Sequence, residues 1–256
     1  MIDIHSHIIP AVDDGSRDLE TSLQMIKNAA ATGTDAIIAT PHYFGGRFEL
    51  TADEAEAETE KLRQEIKNRE INIEIYSGQE IFIDNHTVEL FKQGTIRGLS
   101  HTDYLLVEFP MDRYREGYLD TIYELRLLGA RPIVAHPERY IFVNENITLI
   151  NQFAREGCLF QINTGSITGI FGRQVRNTAE RLIKEGQCHF IASDAHSTGR
   201  RCTGLRDAME QVKTLEHSVS VDVQLNSQLL LKNEKITNTG CTINEKRSLF
   251  SFFKKN

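Results

Sequence analysis

The feature that most constrains the fold of this 256-residue chain is an alternation of short apolar runs with amphipathic segments. The runs are rich in Ile, Val and Leu and nearly continuous, which is typical of parallel strands buried on both faces. We predict seven such strands, at residues 2–4, 36–39, 73–76, 104–107, 132–135, 159–162 and 189–192.

Helical patterns lie between these runs, with apolar residues recurring at spacings of three and four. The clearest examples start at Leu19, Val175 and Leu205. Glycines follow several of the patterns and indicate helix ends, at Gly33, Gly129, Gly157 and Gly186. Seven strand-then-helix units would form either a closed barrel or an open doubly wound sheet, and the patterning leaves both open. No GxGxxG or P-loop motif follows a strand, which argues against a nucleotide-binding domain.

Composition narrows the class of protein. Hydrophobic residues make up 40% and charged residues 25%, as in an ordinary globular domain. The formal net charge of -7 argues against a nucleic-acid partner. No apolar run approaches the roughly 20 residues that a membrane helix needs, and the first residues do not resemble a secretion signal. The four cysteines have no CxxC spacing, so we expect a cytoplasmic protein with reduced thiols.

Polar residues occupy the carboxyl ends of the predicted strands. In a parallel α/β fold these ends open on one face, where active sites are built. We therefore expect one shared site. Its candidate residues are His5, His7, Asp14, His42, Glu80, Glu108, His136, Asp194 and His196.

The chemistry of this set favours divalent cations. Any one of these residues is as readily explained by a helix cap or a loop hydrogen bond, but five of the nine histidines share the setting, and buried charges rarely gather without a partner. His5 and His7 are two residues apart and can face one ion. Imidazole and carboxylate suit Zn²⁺, Mn²⁺ or Fe²⁺. Nine ligands suit two or three ions, which is an arrangement for displacement at phosphorus, with Arg139 and Arg200 or Arg201 placed to bind phosphate.

Seven motifs together resemble the PHP (polymerase and histidinol phosphatase) superfamily, and within it the bacterial tyrosine-protein phosphatases of capsule and exopolysaccharide operons, the CpsB/YwqE type. The motifs are MIDIHSHIIPAVDDGS, IIATPH, GQEIFI, LLVEFP, RPIVAHPERY, INTGSITGIFG and HFIASDAHS. The resemblance spans residues 1–232. It implies a distorted (β/α)₇ TIM-like barrel over those residues, and residues 233–256 then form a polar tail with an aromatic and basic end.

The resemblance also implies three divalent cations, usually described as manganese, with iron, zinc, magnesium and cobalt as alternatives. By this resemblance the first ion would be held by His5, His7, Glu80 and Asp194, the second by Glu80, Glu108 and His136, and the third by Asp14, His42 and His196. Arg139 and Arg201 match the phosphate-binding arginines of the family, although the adjacent Arg200 leaves the second assignment open.

The implied activity is that of a protein-tyrosine phosphatase (EC 3.1.3.48), in which a hydroxide bridging the cations attacks the phosphorus. The expected substrate is the phosphotyrosine-containing tail of a bacterial tyrosine kinase that regulates capsule synthesis, and this kinase would recruit the enzyme to the membrane. Oligomerisation stays open.

Three rival interpretations remain. The chain could be a PHP phosphatase for a small phosphomonoester such as histidinol phosphate, a nuclease, against which its acidity argues, or a non-catalytic metal-stabilised scaffold. The scaffold would use the tail residues Phe250, Phe252, Phe253, Lys254 and Lys255. Cys241 and Arg247 also fit the C-x₅-R-[ST] pattern of cysteine-dependent phosphatases, but the segment between them has no glycine to wrap around a phosphate.

Overall fold

Strands and helices alternate along residues 1–244, the part of the chain that the computed structural model describes. The strands are β1 (Ile2–Ser6), β2 (Ala36–Ala39), β3 (His42–Phe44), β4 (Phe48–Glu49), β5 (Glu74–Ser77), β6 (Glu80–Phe82), β7 (Tyr104–Glu108), β8 (Arg131–Ala135), β9 (Leu159–Asn163) and β10 (Phe190–Ala192). The helices are α1 (Leu19–Ala31), α2 (Ala52–Asn68), α3 (Thr87–Lys92), α4 (Gly117–Leu127), α5 (Ile141–Glu145), α6 (Ile150–Arg155), α7 (Thr164–Ile167), α8 (Arg173–Lys184), α9 (Arg206–Leu215) and α10 (His217–Leu231).

The sheets are parallel apart from one short hairpin, which confirms a mixed α/β fold. One sheet has the order β1-β2-β5, and the other has the order β10-β9-β8-β7-β6-β3-β4. Only the pair β3 and β4 is antiparallel among the described strands. The N–H of His7 donates to the carbonyl of Ala195 at 2.9 Å, and the N–H of Asp194 donates to the carbonyl of His5 at 2.8 Å. These hydrogen bonds join the end of β1 to the segment that follows β10.

Each of the seven predicted strands is present, with ends that differ by up to two residues, and β3, β4 and β6 were not predicted. Two of these three continue an earlier strand after a short break. Thr40 and Pro41 separate β2 from β3, and proline has no N–H for a sheet ladder. Gly78 and Gln79 separate β5 from β6, where a Cβ on Gly78 would lie 2.7 Å from Leu99 Cδ2. The strands are therefore interrupted at two points, and the candidate ligands His42 and Glu80 follow these interruptions directly.

Strand residues alternate between two apolar layers. On β7, Leu105 and Val107 pack in the cluster that contains Ile122 and Leu125 of α4. Tyr104 and Leu106 belong to a second cluster with Ile4, Ile38, Ile133 and Phe190 from neighbouring strands. This alternation follows the two-residue period of a strand. The second cluster is therefore an apolar layer that lies beneath the carboxyl ends of β1, β2 and β7–β10.

Side-chain caps begin the two helices that follow β1 and β4. Asp18 Oδ1 accepts from the N–H of Thr21 at 2.7 Å at the start of α1. Thr51 and Glu54 form a capping box at the start of α2. These caps satisfy N–H groups that the first turn leaves free.

The described part of the predicted tail packs against the sheet. Tyr104 Oη donates to the carbonyl of Glu234 at 2.6 Å, and Ile243 is 1% exposed. The aromatic and basic tail residues that the scaffold alternative would use, Phe250 to Lys255, lie outside the described residues. No helix within residues 1–244 has the length and apolar character to cross a membrane.

Candidate metal centre

The side chains of the nine predicted ligands lie together at the carboxyl ends of the strands. Glu80 stands at their centre. Its Oε2 lies 3.2 Å from Nε2 of His5, 3.2 Å from Nε2 of His7 and 3.1 Å from Nδ1 of His42. Its Oε1 lies 3.0 Å from Nε2 of His136. One buried carboxylate thus contacts four imidazoles, which come from the ends of β1 and β8 and from the start of β3.

Asp14 and Asp194 extend the cluster on one side. Asp14 Oδ1 lies 3.4 Å from His42 Nε2 and 3.5 Å from His196 Nε2. Asp194 Oδ1 lies 3.5 Å from Nε2 of both His5 and His7. Asp14 is half exposed while Asp194 is buried, so the Asp14 side faces the opening.

Three overlapping groups of side chains have ligand atoms within 4.8 Å of one another: His5, His7, Glu80 and Asp194; His7, Asp14, His42 and His196; and His42, Glu80 and Glu108. The first group has the same members as the first predicted ligand set. The group with Asp14 adds His7 to the predicted set, and the group with Glu108 has His42 where the prediction has His136. His136 Nε2 lies 3.6 Å from Glu108 Oε1, so His136 is also close to the third group.

The residues fit divalent cations by their unpartnered atoms and by their donor chemistry. Buried polar atoms normally have hydrogen-bond partners. Glu80 Oε2 and His42 Nδ1 are buried and lie 3.1 Å apart, yet neither has a partner in hydrogen-bonding geometry within the described chain. The cluster offers imidazole nitrogens and carboxylate oxygens, a donor set for Mn²⁺, Fe²⁺ or Zn²⁺.

Carboxylates and imidazoles shift each other's pKa values strongly. Burial alone would lower the pKa of His5, but Glu80 and Asp194 outweigh it and raise that pKa to about 9. Burial is likewise outweighed at His42, where Glu80 and Asp14 raise the pKa to about 10. Burial and the charge of Glu80 raise the pKa of Glu108 to about 8. The cluster therefore attracts positive charge, and protons and cations compete for the same atoms.

Two side chains that the sequence did not point to orient the first histidine pair. Asp13 Oδ2 lies 2.7 Å from Nδ1 of His7, and Gln161 Oε1 lies 2.9 Å from Nδ1 of His5. Each partner accepts the Nδ1 proton and leaves Nε2 directed at the cluster. The sequence pattern predicted Asp14 as a ligand but not the adjacent Asp13, and no sequence pattern indicated Gln161.

The two predicted arginines both contact Asp194. Arg139 Nη1 donates to Asp194 Oδ2 at 2.7 Å, and Arg201 Nη2 donates to Asp194 Oδ1 at 2.8 Å. Arg200 instead donates to the carbonyl of Ile170 at 2.6 Å. Of the two adjacent arginines, Arg201 is therefore the one beside the cluster.

A buried network that was not predicted supports Arg139 and Asp194. Asn163 Nδ2 donates to Asp194 Oδ2 at 2.7 Å. Glu138 Oε1 accepts from the N–H of Asn163 at 2.9 Å and from Ser166 Oγ at 2.6 Å. The turn that carries Arg139 is thereby tied to the end of β9.

The remaining histidines lie outside the cluster, as predicted. His86, His101 and His217 are exposed. His189 is buried, and its Nδ1 accepts from the N–H of Phe160 at 3.1 Å. Cys241, the cysteine of the rejected phosphatase pattern, is exposed, while Arg247 lies outside the described residues.

Comparison with known proteins adds a family to this geometry. A family model described as capsular polysaccharide synthesis, CpsB/CapC, matches residues 1–236. The chain is 34% identical over 254 residues to the tyrosine-protein phosphatase YwqE of Bacillus subtilis, covering 99% of this chain and 100% of that protein. It is 32% identical over 238 residues to the putative tyrosine-protein phosphatase CapC of Staphylococcus aureus, covering 93% of each.

Solved structures agree with the sequence matches. A structure from work on YwqE of Bacillus subtilis and CpsB of Streptococcus pneumoniae, described as unique metal-dependent tyrosine phosphatases, superposes with a TM-score of 0.91 at 32% identity and covers 95% of this chain and 100% of that one. Histidinol phosphate phosphatase of Lactococcus lactis superposes with a TM-score of 0.56 at 17% identity, covering 85% of this chain and 93% of that one. At this identity the similarity indicates only that the two proteins share a fold.

Proposed function

Because the chain belongs to the CpsB/CapC family of capsular polysaccharide synthesis proteins, we propose that it is a metal-dependent phosphatase acting on phosphotyrosine in protein. The sequence-based assignment to this family is confirmed. One observation carries the activity: five imidazoles and four carboxylates converge at the strand ends, with two arginines beside them. Similar proteins support this activity, because the sequence relatives are named tyrosine-protein phosphatases and a solved structure is described as a metal-dependent tyrosine phosphatase.

The nine ligands would hold three divalent cations, for which manganese is our first choice, with iron, zinc, magnesium and cobalt as alternatives. Glu80 is the candidate for a shared ligand, because each of its oxygens contacts a different set of imidazoles. Bound cations would supply a water of lowered pKa and positive charge beside the phosphoryl oxygens.

Arg139 and Arg201 would bind the phosphoryl oxygens of the substrate. Each uses one N–H group on Asp194, and a guanidinium carries five donors. Asp194 therefore positions both arginines and leaves donors on each for a phosphate dianion. The departing phenol has a pKa of about 10. Its phenolate leaves without a strong general acid, and we assign none.

The two sheets would form one distorted seven-stranded barrel. In this interpretation β2 with β3, and β5 with β6, each count as one bent strand. The parallel bridge between Ser6 and Ala195 supports closure between the first and last strands. We place this barrel at residues 1–232 and the tail at 233–256, close to the 1–236 range of the family match.

The substrate would be the phosphotyrosine-containing tail of a bacterial tyrosine kinase that controls capsule or exopolysaccharide synthesis. This proposal rests on the family description and on the names of the relatives. It places the enzyme in the cytoplasm, where the kinase partner would bring it to the membrane surface.

The test combines elemental analysis of the purified protein with hydrolysis of a phosphotyrosine peptide. We expect bound divalent metal, turnover that a chelator removes and added manganese restores, and loss of turnover in His136→Ala. Cys241→Ser is the matched control and should keep wild-type turnover. Faster turnover of histidinol phosphate than of the peptide would contradict the proposed substrate class, and chelator-resistant activity lost with Cys241 would contradict the proposed chemistry.

A further inference from the structure

An aromatic cluster lies beside the candidate ligands and has no role in holding cations. It consists of Phe44 on β3, Phe48 on β4 and Phe82 on β6, which we call the aromatic wall. The rings of Phe44 and Phe82 stack with centroids 4.0 Å apart and planes 8° apart. Phe48 stacks on the ring of the ligand His42 at 5.8 Å and 11°.

Strand register places the wall immediately outside the ligands. β3 and β6 pair with His42 beside Glu80 and Tyr43 beside Ile81, and the stacked Phe44 and Phe82 come next. Side chains two residues apart share a face of a strand, so Phe44 and Phe82 face the same way as His42 and Glu80. Tyr43 and Ile81 point the other way, into the apolar layer under the helices.

The wall continues the row of the ligand Glu108. Phe82 pairs with Glu108 across β6 and β7. Two residues of strand advance by roughly 6.6 Å. The wall therefore stands one side-chain row farther along the strands than Glu80, on the side towards which the carboxyl ends open.

Exposure separates the wall from ordinary core aromatics. Phe44, Phe48 and Phe82 are all partly exposed, whereas the core ring of Phe109 on the neighbouring strand end is fully buried. Phe82 also lines a cavity of about 500 Å³ between the segments that follow β6 and β7. Apolar ring surface is thus open to a ligand at the edge of a strongly charged cluster.

We propose that the aromatic wall binds the phenyl ring of the substrate and selects aryl over alkyl phosphate esters. This inference rests on the proposed function, because it takes the phosphate of the ester to lie at the ligand cluster. A phosphoryl group at the cluster must direct its ester group towards the opening. An aromatic ring gains stacking or edge contacts on such a wall that a short alkyl chain lacks.

Non-hydrolysable phosphonates test the wall without the influence of leaving-group chemistry. Phenylphosphonate and methylphosphonate would be measured in the metal-loaded wild type and in Phe44→Leu and Phe82→Leu, by calorimetry and by competition with a phosphotyrosine peptide. Phe91→Leu is the matched control, since Phe91 is a partly buried phenylalanine on α3 that packs against the core.

We expect the ratio of phenyl to methyl affinity to fall about two- to tenfold in each wall variant and to stay at the wild-type value in Phe91→Leu. KM for the phosphotyrosine peptide should rise by a similar factor with little change in kcat. If melting temperatures fall while the affinity ratio is unchanged, the rings serve packing alone and the inference is overturned, although the phosphatase proposal stands. A wild type that binds neither phosphonate and does not hydrolyse the peptide overturns the phosphatase proposal itself.

Discussion

Replacing Asp13 by asparagine should weaken the binding of divalent cations by about 10- to 100-fold, because Asp13 orients the candidate ligand His7 and is not itself a candidate ligand. Its Oδ2 lies 2.7 Å from His7 Nδ1 and accepts from the N–H of His42 at 2.9 Å. Its Oδ1 accepts from the N–H of Gly15 at 2.9 Å. All three partners use a carboxylate oxygen as acceptor. An asparagine has a single acceptor oxygen, so its NH₂ group must face at least one of these donors.

The size of the effect follows from these contacts. A buried donor left without its acceptor costs about 1–3 kcal/mol. A 10- to 100-fold loss of affinity corresponds to about 1.4–2.7 kcal/mol. Burial alone would raise the pKa of Asp13, but His7 and the N–H donors lower it below its ordinary value, so the native side chain is a carboxylate. The substitution therefore also removes the charge that holds the Nδ1 proton of His7.

Cation affinity can be measured by competition with a chelating dye, followed by peptide turnover at saturating manganese. Asp18→Asn is the matched control, because Asp18 is an exposed N-cap of α1 and asparagine caps helices equally well. We expect Asp13→Asn to need more cation and to recover part of its turnover when saturated, while Asp18→Asn behaves as the wild type. An affinity of Asp13→Asn within about twofold of the wild type, well short of the expected tenfold, or an equal loss in Asp18→Asn, would refute the orienting role.

Three further predictions concern phosphate binding and pH. Arg201→Ala should lower kcat/KM by about 10²–10³-fold. Arg200→Ala should leave kcat/KM unchanged, because the native Arg200 side chain donates to the carbonyl of Ile170 instead. Steady-state kinetics measures both variants, and equal losses would contradict the assignment of Arg201. Cation affinity should rise with pH, because His5 and His42, whose pKa values are raised to about 9 and about 10, must lose a proton before they bind a cation. Calorimetry in two buffers of different ionisation enthalpy measures the number of protons released on binding, and zero release would contradict this prediction. Burial lowers the pKa of His189 from 6.5 to about 4, so the free energy of unfolding should be undiminished above pH 6.5 and should fall by about 3 kcal/mol as pH falls towards 4. Urea unfolding of His189→Asn should therefore show a shallower fall in this free energy with acid, and an unchanged fall would contradict the prediction.

The fold was predictable where one strand carries a continuous apolar run. The seven predicted strands carry nearly continuous apolar runs, and all but β5, where Glu74 is exposed, are largely covered on both faces. β3 and β6 escaped prediction since each has only three residues and follows a break, at Pro41 and at Gly78 respectively. Each of these two strands begins with a candidate ligand and ends with an aromatic residue on the same face, so neither forms an apolar run in the sequence.

The candidate ligands were predictable because their positions relative to the strands are local, whereas their supporting residues depend on distant contacts. Gln161 meets His5 across 156 residues of sequence, and no local pattern marks it. The choice between Arg200 and Arg201 likewise required the loop conformation. The carbonyl of Arg201 accepts from the N–H groups of His196 and Ser197 at 3.0 and 3.1 Å, which folds this loop back on itself.

Backbone strain at two candidate ligands shows how the protein itself sets the geometry of the cluster. His136 and Asp194 have φ angles of 33° and 48°, in the left-handed region that non-glycine residues rarely adopt. Such positions cost on the order of 1–3 kcal/mol each and persist only where surrounding contacts determine them. For Asp194 these contacts are its N–H bond to the His5 carbonyl and the side chains of Arg139, Arg201 and Asn163. The residue that offers a candidate ligand carboxylate thus also positions the two arginines that we propose bind phosphate, so a change at Asp194 should affect cation binding and phosphate binding together.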